Sequence, residues 1–207
     1  MKIRPEELTE NGYVLLDSLG HKELIPFVRT YLNKRTPISL FYTISNIVIV
    51  GIIVFWFCKN YGTEKFDFGN GFTHLSYGFA IAFGLIPLHE YIHVLAYKSQ
   101  GALKTSYDAN LKKFYFMAIA DKFVANKEEF RIVALAPFVV ITITLIILLC
   151  FVNGNWDFTI LGVMLTHTAF SSGDFGILSY FDFHKEKKIV TYDDKENNIS
   201  FFYWKAK

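Results

Sequence analysis

Apolar residues in this chain gather into four long runs instead of the alternating or 3.6-period stripes of half-buried strands and helices. Ile38 to Cys58 and Ile132 to Val152 carry no charged side chain. Each is about 20 residues long, enough for a helix to cross a hydrocarbon core ~30 Å thick. Two further runs are interrupted. Residues 75–97 are apolar except for His89, Glu90 and His93, and residues 158–181 except for His167 and Asp174. The pattern predicts an all-α polytopic membrane protein with about four transmembrane helices, at about 38–58, 75–97, 132–152 and 158–181, plus short cytoplasmic β-strands or hairpins. The polar segments are then 1–37, 98–131 and 182–207, and the whole of 1–207 forms one membrane-embedded domain. A soluble fold lacks the polar surface to cover four such runs.

The polar segments have their own signals. "LKTSYDANLKKFYFMAIADKF" reads as short strands with a turn near Asn110. Asn126 and Glu129 have the spacing of a capping box, whose helix runs on into the span that carries Pro137. The tail "KKIVTYDDKENNISFFYW" reads as strand, turn over Asp193 to Asn198, strand. "GHKELIPFVRTYLNK" suits an amphipathic helix near a membrane surface. The first 20 residues lack the apolar core and cleavage site of a signal peptide.

Charge adds an orientation. Of the 21 Lys and Arg, all but Lys59 and Lys65 fall in 1–37, 98–131 and 182–207. The positive-inside rule therefore predicts cytoplasmic termini and a cytoplasmic middle segment. The excess of Lys over Arg, a bias of AT-rich bacterial genomes, suggests an integral, multi-pass protein of a bacterial plasma membrane. A net charge of +2 is too small for a nucleic-acid footprint, so the expected partners are the bilayer and a membrane protein or peptide, with the oligomeric state left open. Cys58 and Cys150 form no CxxC pair and read as small apolar fillers.

Ionisable residues inside a span are costly and by default mark a function. His89 and His93 are four residues apart, one above the other on a helix, which lets both imidazoles reach one Zn²⁺. Glu90 borders the same face and suits a proton acceptor for water. A catalytic zinc takes a third protein ligand, from Asp174 or His167. His89 lies 14 residues past Leu75 and Asp174 lies 16 past Phe158, depths of roughly 21 and 24 Å. The match favours Asp174. His167, roughly 10 Å further out, reaches the same metal only if the helix breaks at Ser171 to Gly173, and otherwise serves as a hydrogen-bonded neighbour of the ligands. His21, His74 and His184 read as surface residues.

An intramembrane "HEYIH", a span opening "RIVALAPFVV" and a last span with "HTAFSSGDFGIL" together resemble the DUF3267 family of zincin peptidases, which in turn looks like a compact relative of site-2-protease-type intramembrane metalloproteases. The resemblance covers most of the chain. It implies His89, His93 and Asp174 as zinc ligands and Glu90 as the catalytic glutamate. One departure from the site-2 pattern is Phe175, where those proteases carry glycine after the aspartate. The expected function is a zinc-dependent intramembrane endopeptidase that cleaves membrane proteins with an activated water. The alternative is a non-proteolytic membrane protein that binds metal or partners through the same residues.

Overall fold

The structure is a computed structural model that describes residues 2–61, 67–110, 115–152 and 154–205. In chain order its elements are β1 (Tyr13–Gly20), α1 (Leu24–Leu32), α2 (Pro37–Asn60), α3 (Phe68–Gly84), α4 (Ile86–Ser99), β2 (Thr105–Asn110), β3 (Tyr115–Ala120), β4 (Ala125–Asn126), α5 (Lys127–Leu149), α6 (Trp156–Phe170), α7 (Ser172–Phe183), β5 (Lys188–Asp194) and β6 (Ile199–Lys205).

The all-α, four-span architecture is overturned. The strands make a four-stranded sheet of order β1-β6-β5-β4 and a separate β2-β3 hairpin. Among the described residues only α2 and α5 are single helices long and apolar enough to cross a membrane; a third crossing exists only if the bent pair α3 and α4 counts as one. Two breaks explain the difference. The run 75–97 divides at Leu85, and α3 and α4 meet at 44°. Pro87 has no N–H for the Phe83 carbonyl, and its ring crowds that carbonyl. The run 158–181 divides at Ser171 into α6, with 15 residues, and α7, with 12. Both are shorter than the ~20 residues a crossing needs. At the break, the Ser171 amide and hydroxyl both donate to the His167 carbonyl, at 3.0 and 3.1 Å.

The chain forms two compact units. The first holds Met1–Ser39, Glu90–Pro137 and Gly173–Lys207. Its sheet is antiparallel, with Tyr13 opposite Lys205 and Asp194 opposite Ile199, and a bulge between Leu15 and Asp17. Alternation along the strands sends Ile189 and Phe202 into a core with Leu19, Phe130, Leu178 and Phe181, while Val190 packs with Leu8 and Val124 on the opposite face. The capping box at the start of α5 is present: Asn126 Oδ1 accepts from the Glu129 amide, and Glu129 Oε2 accepts from the Asn126 amide, both at 3.0 Å. The turn expected near Asn110 falls on 111–114, and Lys65, Lys112, Lys113 and Lys207 of the charge pattern likewise lie outside the described residues.

The second unit holds Leu40–His89 and Phe138–Ser172. Its tightest packing is α3 on α6, where Gly78 and Gly162 let two backbones touch. A Cβ on Gly78 would collide with the Thr159 carbonyl oxygen. Trp56 donates to Asp157 at 3.2 Å, and Phe57 lies 4.4 Å from Phe158, ring centre to ring centre. Ile44, Ile47, Val54 and Phe55 on α2, and Ile143, Ile146 and Ile147 on α5, are exposed apolar side chains of the kind a bilayer covers. Cys58 on α2 and Cys150, just past the end of α5, are exposed and fill no core.

Candidate metal centre

Helix α4 begins at Ile86 and carries proline at its second position, where a missing N–H is harmless. The first turn therefore starts just before His89, whose amide donates to the Leu85 carbonyl at 2.9 Å. The helical repeat then places His89, Glu90 and His93 on neighbouring positions of the first two turns. All three are buried, each 7% exposed. One ligand-capable atom from each lies within 4.8 Å of the others, and no other group of three His, Cys, Asp or Glu comes as close among the described residues.

Each side chain is held from elsewhere. The Nδ1 of His93 is 2.9 Å from the carbonyl oxygen of Val133 on α5, so Nδ1–H donates there. Its other nitrogen, Nε2, lies 3.2 Å from Asp174 Oδ1 on the first turn of α7. Glu90 Oε2 accepts the Ala118 amide of β3 at 2.7 Å. In the second unit, His89 Nδ1 is 3.0 Å from His167 Nε2. The break at Ser171 is what makes these neighbours available. It ends α6 soon after His167 and starts α7 just before Asp174, so one short segment supplies a partner to each α4 histidine.

The donor set fits zinc. Imidazole nitrogen and carboxylate oxygen are normal ligands, held at ~2.0–2.2 Å. Two such atoms on a tetrahedral ion stand roughly 3.3 Å apart, close to the 3.2 Å between His93 Nε2 and Asp174 Oδ1. That spacing serves equally as an ion pair while no metal is held. A ligating histidine also needs its second nitrogen anchored, which the Val133 carbonyl does for His93.

The histidines read from sequence as surface residues divide. His21 is buried at 6% exposure, with Nδ1 3.5 Å from Asp108 Oδ2. Nδ1 of His74 is 3.0 Å from the Thr159 hydroxyl. His184 is half-buried against Tyr180, and that loss of hydration lowers its pKa. Of the two backbone groups of the site, Val133 C=O and Ala118 N–H, the Ala118 amide leaves no trace in a sequence. A proline four residues after Val133 is the one signal that a helix carbonyl there lacks its usual donor.

No curated protein and no solved structure matches this chain. A family model does: DUF3267, described as "Putative zincin peptidase", over residues 82–188. That stretch runs from the end of α3 into β5 and includes His89, Glu90, His93, His167 and Asp174. By that match over half its length, with its buried histidine–glutamate–histidine group inside the matched region, the chain belongs to the DUF3267 family.

Proposed function

We propose that this protein is a zinc-dependent endopeptidase that acts at a membrane on membrane-protein or peptide substrates. The observation that carries the proposal is the fixed orientation of His93, Nδ1 on a buried carbonyl and Nε2 turned to Asp174, on the helix that also bears His89 and Glu90. In this reading His89, His93 and Asp174 hold the zinc, and His167 accepts a hydrogen bond from His89 Nδ1–H so that His89 offers Nε2. When bound, zinc supplies Lewis acidity toward a carbonyl and toward water. Glu90 takes a proton from the attacking water and passes it to the departing amine. Its bond from the Ala118 amide holds the carboxylate beside the histidines while it does so.

Action on membrane substrates is supported by the apolar helices α2 and α5 and by the place of α4 in the bent pair. The Lys and Arg distribution favours a cytoplasmic location for both chain ends, and the excess of Lys over Arg favours a bacterial plasma membrane. Pairing of β1 with β6 agrees with the two ends sharing one side.

The test is metal content and cleavage in detergent-purified protein. Wild type and Glu90→Ala are expected to hold about one zinc each, while His93→Ala and Asp174→Ala lose it. Wild type is expected to cut a panel of transmembrane peptides that Glu90→Ala leaves intact. Zinc-free wild type, prepared without chelator, ends the enzyme reading. Zinc retained without any cleavage favours a metal-binding role alone.

A further inference from the structure

Helix α5 contains a proline at a place where the helix continues. It runs from Lys127 to Leu149 without a break, and Pro137 is among its most buried residues, under 2% exposed. In an α-helix the carbonyl of residue i accepts the amide of residue i+4. For Val133 that donor would be residue 137, and proline has no N–H. Val133 is itself 1% exposed, and a buried carbonyl left without a donor is costly. The donor it receives is His93 Nδ1–H, at 2.9 Å, from a different helix.

We propose that Pro137 is a positioning residue for the metal centre. By withholding one backbone amide it frees the Val133 carbonyl to hold His93, and thereby directs His93 Nε2 toward Asp174. The proposal rests on the zinc reading above only for its consequence; the hydrogen bond itself exists with or without a metal. Packing alone gives Pro137 no link to His93. The withheld amide gives it one, and that difference can be measured.

The variant is Pro137→Ala, which restores the amide in a residue that favours helix. The new N–H bonds Val133 in the ordinary way and competes with His93. Zinc affinity, measured by chelator competition, is expected to fall about 10-fold or more, the usual effect of losing a ligand's outer partner. Thermal stability of the metal-free protein is expected to hold or rise. Ala134→Gly is the control: it weakens the same helix without changing its donors, and its zinc affinity is expected to match wild type. Unchanged affinity in folded Pro137→Ala overturns the proposal.

A second readout needs no zinc. With ¹⁵N-histidine and ¹³C-carbonyl valine, solid-state NMR reports the contact between His93 Nδ1 and Val133 C′ in membrane-reconstituted protein. The contact is expected in wild type and is weakened or lost in Pro137→Ala. Its absence from wild type, or its full retention in the variant, overturns the proposal. If wild type holds no zinc but shows the contact, the zinc reading fails while the role of Pro137 stands.

Discussion

His167 is the residue whose role separates two versions of the site. Its Nε2 faces His89 Nδ1, not the face of His89 that a metal uses in the reading above. His167→Ala is therefore expected to keep zinc but bind it about 10-fold more weakly, by titration against a chelator. Complete loss of zinc would instead make His167 a ligand. Away from the site, Asp193 on β5 gives a separate test. Loss of hydration pushes its carboxyl above the ordinary 3.8; the Ser200 hydroxyl, 2.6 Å from Oδ1, and His21 oppose this, and Asp121 adds to it. A carboxyl with a raised folded pKa keeps its proton longer in the folded chain than in the unfolded one. Its contribution favours folding at acid pH and is lost as pH rises from about 3.8 through the folded value. Asp193→Asn is expected to gain stability relative to wild type as pH rises over that range. Urea midpoints at several pH values check it, and a difference that does not vary with pH refutes it.

At the scale of elements, breaks matter more than lengths. Pro87 ends one helix and opens another, which places His89, Glu90 and His93 on the first two turns of α4. The Ser171 break does the same for His167 and Asp174. Neither break adds a contact by itself; each ends one helix and starts the next so that a polar side chain meets a partner. Close packing has the opposite character, because α3 and α6 tolerate no addition. A Cβ on Gly162 would stand 2.6 Å from the Leu75 carbonyl oxygen, and backbone cannot swing aside as a side chain can. Gly162→Ala is expected to destabilise by about 1–3 kcal/mol or more, the range for forcing extra volume into a packed contact. Thermal unfolding in detergent measures it; a loss below about 0.5 kcal/mol, within the range of ordinary surface changes, would show that the helices separate easily.

At the scale of the whole molecule, the exposed apolar faces of α2 and α5 dominate behaviour in a cell. Side chains such as Ile47, Phe55, Ile143 and Ile147 have no protein cover. Each fully buried aliphatic or aromatic side chain gains roughly 1.5–3 kcal/mol over exposure to water, so a bilayer around these helices would hold them firmly. The protein is expected to stay in the membrane pellet through an alkaline carbonate wash. Release into the supernatant would mean that another protein, not lipid, covers those helices. The four-stranded sheet constrains the rest, since it joins β1, near one end of the chain, to β4, β5 and β6 in one hydrogen-bonded layer.

Local chemistry was legible in the residues alone. Two uncharged runs gave α2 and α5, Asn126 and Glu129 gave a helix start, and "KKIVTYDDKENNISFFYW" gave the β5-β6 hairpin, because each signal lies within a few neighbouring residues. Candidate site residues were legible because ionisable groups stand out against apolar surroundings, and His89 and His93 pair by helical spacing alone. The other decisions needed residues distant in sequence. β1 became a strand by pairing with β6, about 180 residues later, although its own side chains alternate weakly. His21 became buried through the fold around it. Hydropathy summed over a window cannot see a helix divide, so two interrupted runs read as spans although they divide near Pro87 and at Ser171. The partners of the site were decided by tertiary structure alone. A carbonyl at Val133 and an amide at Ala118 exist at every ordinary residue, and only the fold determines which of them meets a histidine or a glutamate.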